Sequence, residues 1–338
     1  MVIVMSAEAE QRYIDAVIAR IEELGYTPHP IQGTERTVIA AIGDERGKYE
    51  LQQLESMHAV DKVVPILEPY KLSGREYRSE RSVIRIGNLE IGGDRLILMA
   101  GPCSVESREQ ILEAAETVKE SGAQILRGGA FKPRTSPYSF QGLGEEGLEY
   151  LAEARDKTGL LIITELLDSY DLQLVEKYTD IIQIGARNMQ NYGLLSRLRK
   201  TKKPVMIKRG MMSKVDELLL SAEYVLSGGN YNVLLCERGI RTFETATRNT
   251  FDLNAIPVIK KMSHLPIVAD PSHGTGDSEF VPPMAKAAVA AGADALMIEM
   301  HPNPDKALSD GAQSLSPDTF LQLVDELQPF IEASGRGF

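Results

Sequence analysis

Cysteine is scarce in this sequence. Its 338 residues hold two, Cys103 and Cys236, too few for a disulfide framework. Cations are outnumbered, with 37 Lys and Arg against 48 Asp and Glu, and the formal charge of −11 argues against a nucleic-acid partner or an anionic membrane surface. No apolar run approaches the length that spans a bilayer. The opening stretch MVIVMSAEAEQRYIDAV turns acidic directly after a short apolar run, which does not read as a secretory signal. These absences point to a soluble, cytoplasmic protein whose thiols stay reduced and which needs neither membrane nor nucleic acid. The sequence also lacks a GxxxxGK[ST] loop and a GxSxG elbow, so nucleotide-driven phosphoryl transfer and serine hydrolysis have no basis in it.

Apolar residues are plentiful, 43% of the chain, enough for a large core in a chain longer than one ordinary barrel needs. Over residues 1–66 strand and helix patterns alternate: VIVM, a helical stretch from about Ala7 to Leu24, TPHPIQ, TVIAAIG, a helix around Tyr49 to Met57, and DKVVPIL. The order β-α-β-β-α-β predicts a ferredoxin-like unit. The polar segment EPYKLSGREYRSE follows, punctuated by Pro69 and Gly74, and places the domain boundary near residue 70, with 1–70 and 71–338 as the two domains. After a short hairpin turning at Asn88, eight apolar runs each precede a helix-length segment: LILMAG, AQILRGG, LLIITE, DIIQIGA, PVMIKRG, NVLLCERG, PIVADPSH and ALMIEMHP. Eight βα repeats predict an α/β fold, a (β/α)8 TIM barrel, with the small α+β domain ahead of it.

In such barrels the site lies at the C-terminal ends of the strands. The polar residues there are Cys103, Arg127, Lys132, Arg134, Glu165, Arg187, Lys208, Arg209, Glu237, Arg238, Asp270, His273 and Glu299, with Asp310 in the last loop. So many cations on one rim of an acidic protein fit a ligand carrying phosphate and carboxylate, or two anionic ligands. The plainer alternative is that each strand-end Arg pairs with Glu165, Glu237 or Asp270 as a structural ion pair. Cys103, His273, Glu299 and Asp310 meet at one corner once strand eight closes against strand one. A thiolate, an imidazole and two carboxylates suit Mn(II), Fe(II), Co(II) or Zn(II). Cys236, Met211, Met212 and Met284 read as packing, and Glu145-Glu146 as a solvated helix start.

The runs Ala100-Gly101-Pro102-Cys103-Ser104, Leu126 to Pro137, Gln183 to Asn188, Leu235 to Gly239 and Asp270-Pro271-Ser272-His273 resemble the type I beta class of 3-deoxy-D-arabino-heptulosonate 7-phosphate (DAHP) synthases. That family condenses phosphoenolpyruvate with D-erythrose 4-phosphate at the head of the shikimate pathway. The resemblance implies that Cys103, His273, Glu299 and Asp310 bind a divalent metal. It implies that Arg127, Lys132, Lys208, Arg238 and the Gly185-Ala186-Arg187 turn hold phosphoenolpyruvate. Lys132, Pro133, Arg134, Thr135 and Ser136, with Asp270, would hold erythrose 4-phosphate, and Lys132, Glu165 and His273 would carry proton chemistry. It also implies a homotetramer.

Three other readings compete. The sibling 3-deoxy-D-manno-octulosonate 8-phosphate synthase shares the barrel, but typically carries a Lys-Ala-Asn-Arg-Ser type segment where this chain has Lys132-Pro133-Arg134-Thr135-Ser136. A Schiff-base aldolase would use Lys208 as nucleophile. An inactive amino-acid sensor would be expected to have lost a metal ligand. The N-terminal unit resembles the ACT-like domain of regulated members, which implies tyrosine or phenylalanine feedback through His29 and Ile31. In those members a small hydroxyl residue stands where this chain has Ile31.

Overall fold

In the computed structural model, which describes every residue except 34–35, 44–47, 65–68 and 134–135, the first apolar run forms β1 (Val2–Met5). It is followed by α1 (Gln11–Glu23), β2 (Thr27–Gln32), β3 (Thr37–Ile42), α2 (Lys48–Leu51) and β4 (Val60–Val64). The sheet order is β2-β3-β1-β4, with β1 antiparallel to both β3 and β4, which is the ferredoxin-like arrangement. Ile3 and Met5 share one face of β1, and Ile14, Val17 and Ile21 recur at helical spacing along α1, so strand and helix bury their apolar sides in one core. Helix α1 begins later than its periodicity suggests. The Ser6 carbonyl accepts the Ala9 N–H at 3.1 Å, making a turn, and Glu10 stays extended as the N-cap. The second helix is one α turn continued by a 3-10 segment, Gln52–Ser56.

Residues 1–80 with 262–264 form one compact unit, and the remainder forms a second. The second opens with the hairpin β5 (Ile84–Ile86) and β6 (Leu89–Ile91), turning through Gly87 at φ 59°, a left-handed value that glycine accepts without penalty. Then come β7 (Ile97–Gly101), α3 (Arg108–Glu120), β8 (Ile125–Arg127), α4 (Glu145–Thr158), β9 (Leu161–Glu165), α5 (Leu172–Tyr178), β10 (Ile181–Ile184) and α6 (Tyr192–Leu198). The second half continues with β11 (Val205–Lys208), α7 (Val215–Leu226), β12 (Val233–Glu237), α8 (Ala255–Met262), β13 (Ile267–Ala269), the short α9 (Pro271–Thr275), α10 (Val281–Ala290), β14 (Ala295–Glu299) and α11 (Pro317–Ala333). Strands β7 to β14 close into a parallel barrel, β14 pairing with β7. The eight predicted runs are its strands.

The lumen is packed from below. Ile97, Met99, Ile125, Ile163, Ile181, Met206, Leu234, Val268 and Met297 form one buried cluster with Ile84 and Ile91 of the hairpin. The hairpin therefore plugs the N-terminal end, and polar side chains have room only at the other. No helix among the described residues is long and apolar enough to cross a membrane.

Candidate active site

Side chains two apart on a strand share a face. Because Ile125, Ile163, Ile181, Met206, Cys236, Val268 and Met297 fill the lumen, the residues two further on, Arg127, Glu165, Gln183, Lys208, Arg238, Asp270 and Glu299, follow the same face at the C-terminal mouth. Residues of opposite parity leave it. Arg209 bonds Glu237 and Asp252 at 2.8 Å each, and neither Arg209 nor Glu237 lines the mouth cavity. For that strand-end cation the plain ion-pair reading is correct.

The mouth encloses a cavity of about 110 Å³. Of the predicted residues, Arg127, Lys132, Pro133, Glu165, Gly185, Ala186, Arg187, Lys208, Arg238, His273 and Asp310 line it, and Gln183, Met211, Arg248 and Ser309 join them. The cations fall into two groups. Arg127 pairs with Glu299 at 2.9 Å, and Lys208 pairs with Asp270. Among the described residues Arg187 and Arg238 form no ion pair, and the buried Nε of Arg127 has no hydrogen-bond partner. Buried donors without partners are uncommon, and an anion in the cavity would meet these groups.

Asp270 does not line the cavity. Its carboxylate is fully buried, accepts from Lys208, and meets His273 Nδ1 at 2.8 Å and His273 N at 2.9 Å. Asp270 thus stands behind Lys208 and His273, bonded to both. Ser136 is exposed, its hydroxyl turned to the Tyr138 N–H at 3.3 Å, and it too lies outside the cavity lining. Arg134 and Thr135 lie outside the described residues.

At one side of the mouth the thiol of Cys103 lies 3.1 Å from Ser309 Oγ, 3.2 Å from Asp310 Oδ2 and 3.0 Å from Lys132 Nζ. Donor atoms of Cys103, Glu299 and Asp310 all lie within 4.8 Å of one another. His273 Nε2 stands 3.5 Å from Glu299 Oε1 and 4.0 Å from Asp310 Oδ2. All four expected metal ligands thus converge. Their chemistry fits a divalent cation: two carboxylates and a thiol would repel one another once ionised, and a cation removes that cost. Burial, followed by the charge of Glu299, pushes the Cys103 thiol up to about 11. Burial also tends to raise Asp310, yet His273 and Arg248 hold it down at about 2. Burial likewise opposes Glu299, which His273 and Arg127 keep below the usual carboxylate range. Burial acts to lower Lys132, but Cys103 and Glu165 keep its ammonium above its ordinary value.

Glycine is required at 185 by space rather than by conformation. Its φ of −68° is ordinary, but a Cβ there would fall 1.9 Å from Glu165 Oε1. Gln183 could have been found by the two-residue alternation from Ile181. Arg248 sits in the loop after β12, where no periodicity places a side chain. It reaches Asp310 at 3.2 Å and Gln313 at 2.7 Å, and Gln313 in turn bonds Glu299. In the N-terminal unit His29 is buried on β2, whereas Ile31 lines a separate cavity of about 180 Å³ with Arg36, Val38, Tyr77 and Arg78.

Residues 76–333 match the model of the DAHP synthetase I family, and residues 1–68 match that of the DAHP synthase ferredoxin-like domain. The chain is 50% identical over 335 residues to the phospho-2-dehydro-3-deoxyheptonate aldolase of Thermotoga maritima, covering 99% of each. It is 32% identical over 271 residues to a 2-dehydro-3-deoxyphosphooctonate aldolase of Nitrobacter winogradskyi, covering 75% of this chain and 94% of that one. The crystal structure of the Thermotoga maritima aldolase (DAHP synthase) superposes with a TM-score of 0.79 at 49% identity, covering 99% of this chain and 98% of that one.

Proposed function

The chain belongs to the DAHP synthetase I family, and from that premise we propose how its residues carry out the DAHP synthase reaction, the condensation of phosphoenolpyruvate, erythrose 4-phosphate and water to DAHP and phosphate. The octulosonate activity is set aside, because relatives bearing that name match only about three quarters of the chain, at lower identity. The observation that carries the reading is the placement of Arg127, Lys208, Arg187 and Arg238 around one small cavity whose wall also holds His273 and Asp310.

Arg127, Lys132, Arg187, Lys208 and Arg238 hold the phosphate and carboxylate of phosphoenolpyruvate, with the backbone of Gly185 and Ala186 on one side. Lys132, Pro133, Arg134, Thr135 and Ser136 hold erythrose 4-phosphate. Cys103, His273, Glu299 and Asp310 hold a divalent ion, Mn, Fe, Co or Zn, whose contribution when bound is Lewis acidity toward the aldehyde oxygen. A carbon–carbon bond forms between the phosphoenolpyruvate methylene and the aldehyde carbon. Lys132, kept protonated by its neighbours, gives a proton to the aldehyde oxygen. Water adds to the enol carbon while Glu165, on the cavity wall, takes its proton, and phosphate leaves. His273, fixed by Asp270 through Nδ1, presents Nε2 to the carboxylate pair and assists there.

The N-terminal unit binds tyrosine or phenylalanine at His29 and Ile31 and lowers turnover, and the working form is a cytoplasmic homotetramer. Phosphate release is the direct test, comparing erythrose 4-phosphate with arabinose 5-phosphate after chelation and again after addition of Mn(II). Turnover with the four-carbon sugar only when metal is restored is expected. Preference for the five-carbon sugar, or activity that resists chelation, would overturn the substrate or the metal assignment respectively. Unchanged rates at saturating tyrosine and phenylalanine would remove the effector, and sedimentation would show the tetramer or its absence.

A further inference from the structure

The loop after β14 delivers Ser309 and Asp310 to the thiol of Cys103, and Asp310 does so in the left-handed region, at φ 52° and ψ 35°. A side chain in that region persists when its surroundings hold it. Arg248 holds the Asp310 carboxylate at 3.2 Å, and the Asp310 carbonyl accepts from Ser314 Oγ at 3.0 Å and the Gln313 N–H at 3.3 Å. The chain leading up to Asp310 is held by Glu106, three residues beyond Cys103. Its Oε1 accepts the Leu308 N–H at 2.8 Å, and its Oε2 lies 3.3 Å from His301 Nε2. The Asn303 N–H reaches His301 Nδ1 at 2.9 Å. A neutral imidazole whose Nδ1 accepts carries its proton on Nε2, so the ring donates to Glu106. His301 is itself tied at the strand end, its N–H donating to the Leu315 carbonyl at 3.0 Å. Glu106 is anchored in turn: its own N–H donates to Gln110 Oε1 at 3.3 Å, in the first turn of α3. Both side chains are nearly out of solvent, 6% exposed for His301 and 10% for Glu106, and neither lines the mouth cavity.

One carboxylate therefore joins the segment that bears Cys103 both to the start of the loop that bears Asp310, at His301, and to Leu308, two residues before Asp310. We propose that Glu106, with His301, is a positioning pair that sets the divalent-cation affinity of the Cys103, His273, Glu299 and Asp310 cluster by fixing residues 301–310. The inference rests on the reading of that cluster as a metal site. Glu106 touches no substrate. It acts through the place it gives to Asp310, as outer residues commonly act on metal ligands.

The test is a titration of the chelated full-length protein with Co(II), following the thiolate-to-metal absorbance band. Wild type should bind with that band. Glu106→Ala should bind about 10- to 100-fold more weakly, the usual loss when an outer partner of a metal site is removed, while band intensity per bound ion and kcat at saturating metal are recovered. Glu106→Gln keeps an amide oxygen for the Leu308 N–H but turns its other end against the His301 proton, and should fall between the two. That variant carries the test if Glu106→Ala does not fold, as thermal unfolding of the chelated proteins will show. Dissociation constants within about twofold of wild type in the folded variants would overturn the positioning role. A wild type that binds Co(II) without the band, or not at all, would instead overturn the metal reading, and this inference with it.

Discussion

At the N-terminal end of the barrel lumen, Ile97, Ile125, Ile163 and Ile181 pack against Ile84 and Ile91 of the hairpin. Two residues further along three of those strands stand Arg127, Glu165 and Gln183, and Lys208, Asp270 and Glu299 occupy the matching positions on others. Both ends are buried, but they are stabilised by different physics. The lower end needs volume and apolar surface, each large side chain contributing roughly 1.5–3 kcal/mol. The upper end gains nothing by burying charge unless the charges meet partners. Lys208 has Asp270, Arg127 has Glu299, and the cations left over face the cavity. A lumen that was merely structural would have matched every charge, so the mismatch marks the mouth as a ligand site.

The comparison breaks most severely at Arg127. In Arg127→Met, Glu299 loses its guanidinium and keeps, among the described residues, His273 and Gln313 as favourable partners, with Cys103 and Asp310 still close by. Loss of one partner of a buried pair costs about 3–5 kcal/mol, so urea unfolding should show about 4 kcal/mol. Phosphate release should fall by about 10³-fold or more, the scale of a lost charge clamp on a reacting phosphate ester. Substitution at the lower end should separate the two properties. Ile163→Ala empties a packed position and should cost about 3–4 kcal/mol, yet kcat/KM per folded molecule should stay within about threefold of wild type. If Ile163→Ala lost activity as Arg127→Met does while remaining folded, the division of the lumen into a structural and a chemical end would be wrong.

Much of this was legible in the chain because two periodicities carry it. Apolar runs spaced by helical segments predict eight strands, and the period of two along each strand places the residue after the last apolar one inside or outside the lumen. Arg127, Lys208, Glu299 and the thiol of Cys103 follow from that arithmetic. Where the sequence fails, the determinant is a loop or a pairing. Arg248 arrives from an irregular segment, and Asp270 stands at a strand end as expected but is consumed by Lys208 and His273. Arg209 looks like its neighbour Lys208 in the sequence, and one step in parity sends it to Glu237 and Asp252 instead. The start of α1 slips to Gln11 because a turn at Ser6 competes with the helix for the same backbone groups.

Outside the lumen, His264 shows what burial does to an ionisable group whose ring bonds a backbone carbonyl. Its Nε2 meets the Leu72 carbonyl at 2.7 Å, and burial, followed by nearby Arg78 and Arg75, overcomes that bond and lowers its pKa to about 4. The carboxylates at the mouth keep their charge, whereas this ring gives its charge up. Since the folded value lies below the unfolded value near 6.5, the unfolded chain binds the extra proton between the two. Stability from this residue is therefore complete above about pH 6.5 and is lost progressively as the pH falls toward about 4, by up to about 3 kcal/mol at 1.36 kcal/mol per pH unit. Urea midpoints at pH 7.5 and pH 5 should diverge more in wild type than in His264→Gln. Equal divergence would assign the acid sensitivity to other groups.

The smallest effect is the sharpest test of the mouth. In Gly185→Ala the new methyl would sit 1.9 Å from Glu165 Oε1, and because the backbone there is ordinary, the carboxylate end of Glu165 must move while the main chain need not. The cost in stability should stay below about 1.5 kcal/mol, the range of mild overpacking relieved by a mobile side chain. Turnover should drop by about tenfold, since a misplaced base loses part of the 10²–10⁴-fold that proton transfer contributes. Combining it with Glu165→Gln isolates the cause. If Gly185 matters only through the position of that carboxylate, the double variant should be no slower than Glu165→Gln alone. If the two losses multiply instead, Gly185 acts by a separate route, such as the backbone contact with phosphoenolpyruvate proposed above, and Glu165 is not the group that the glycine serves.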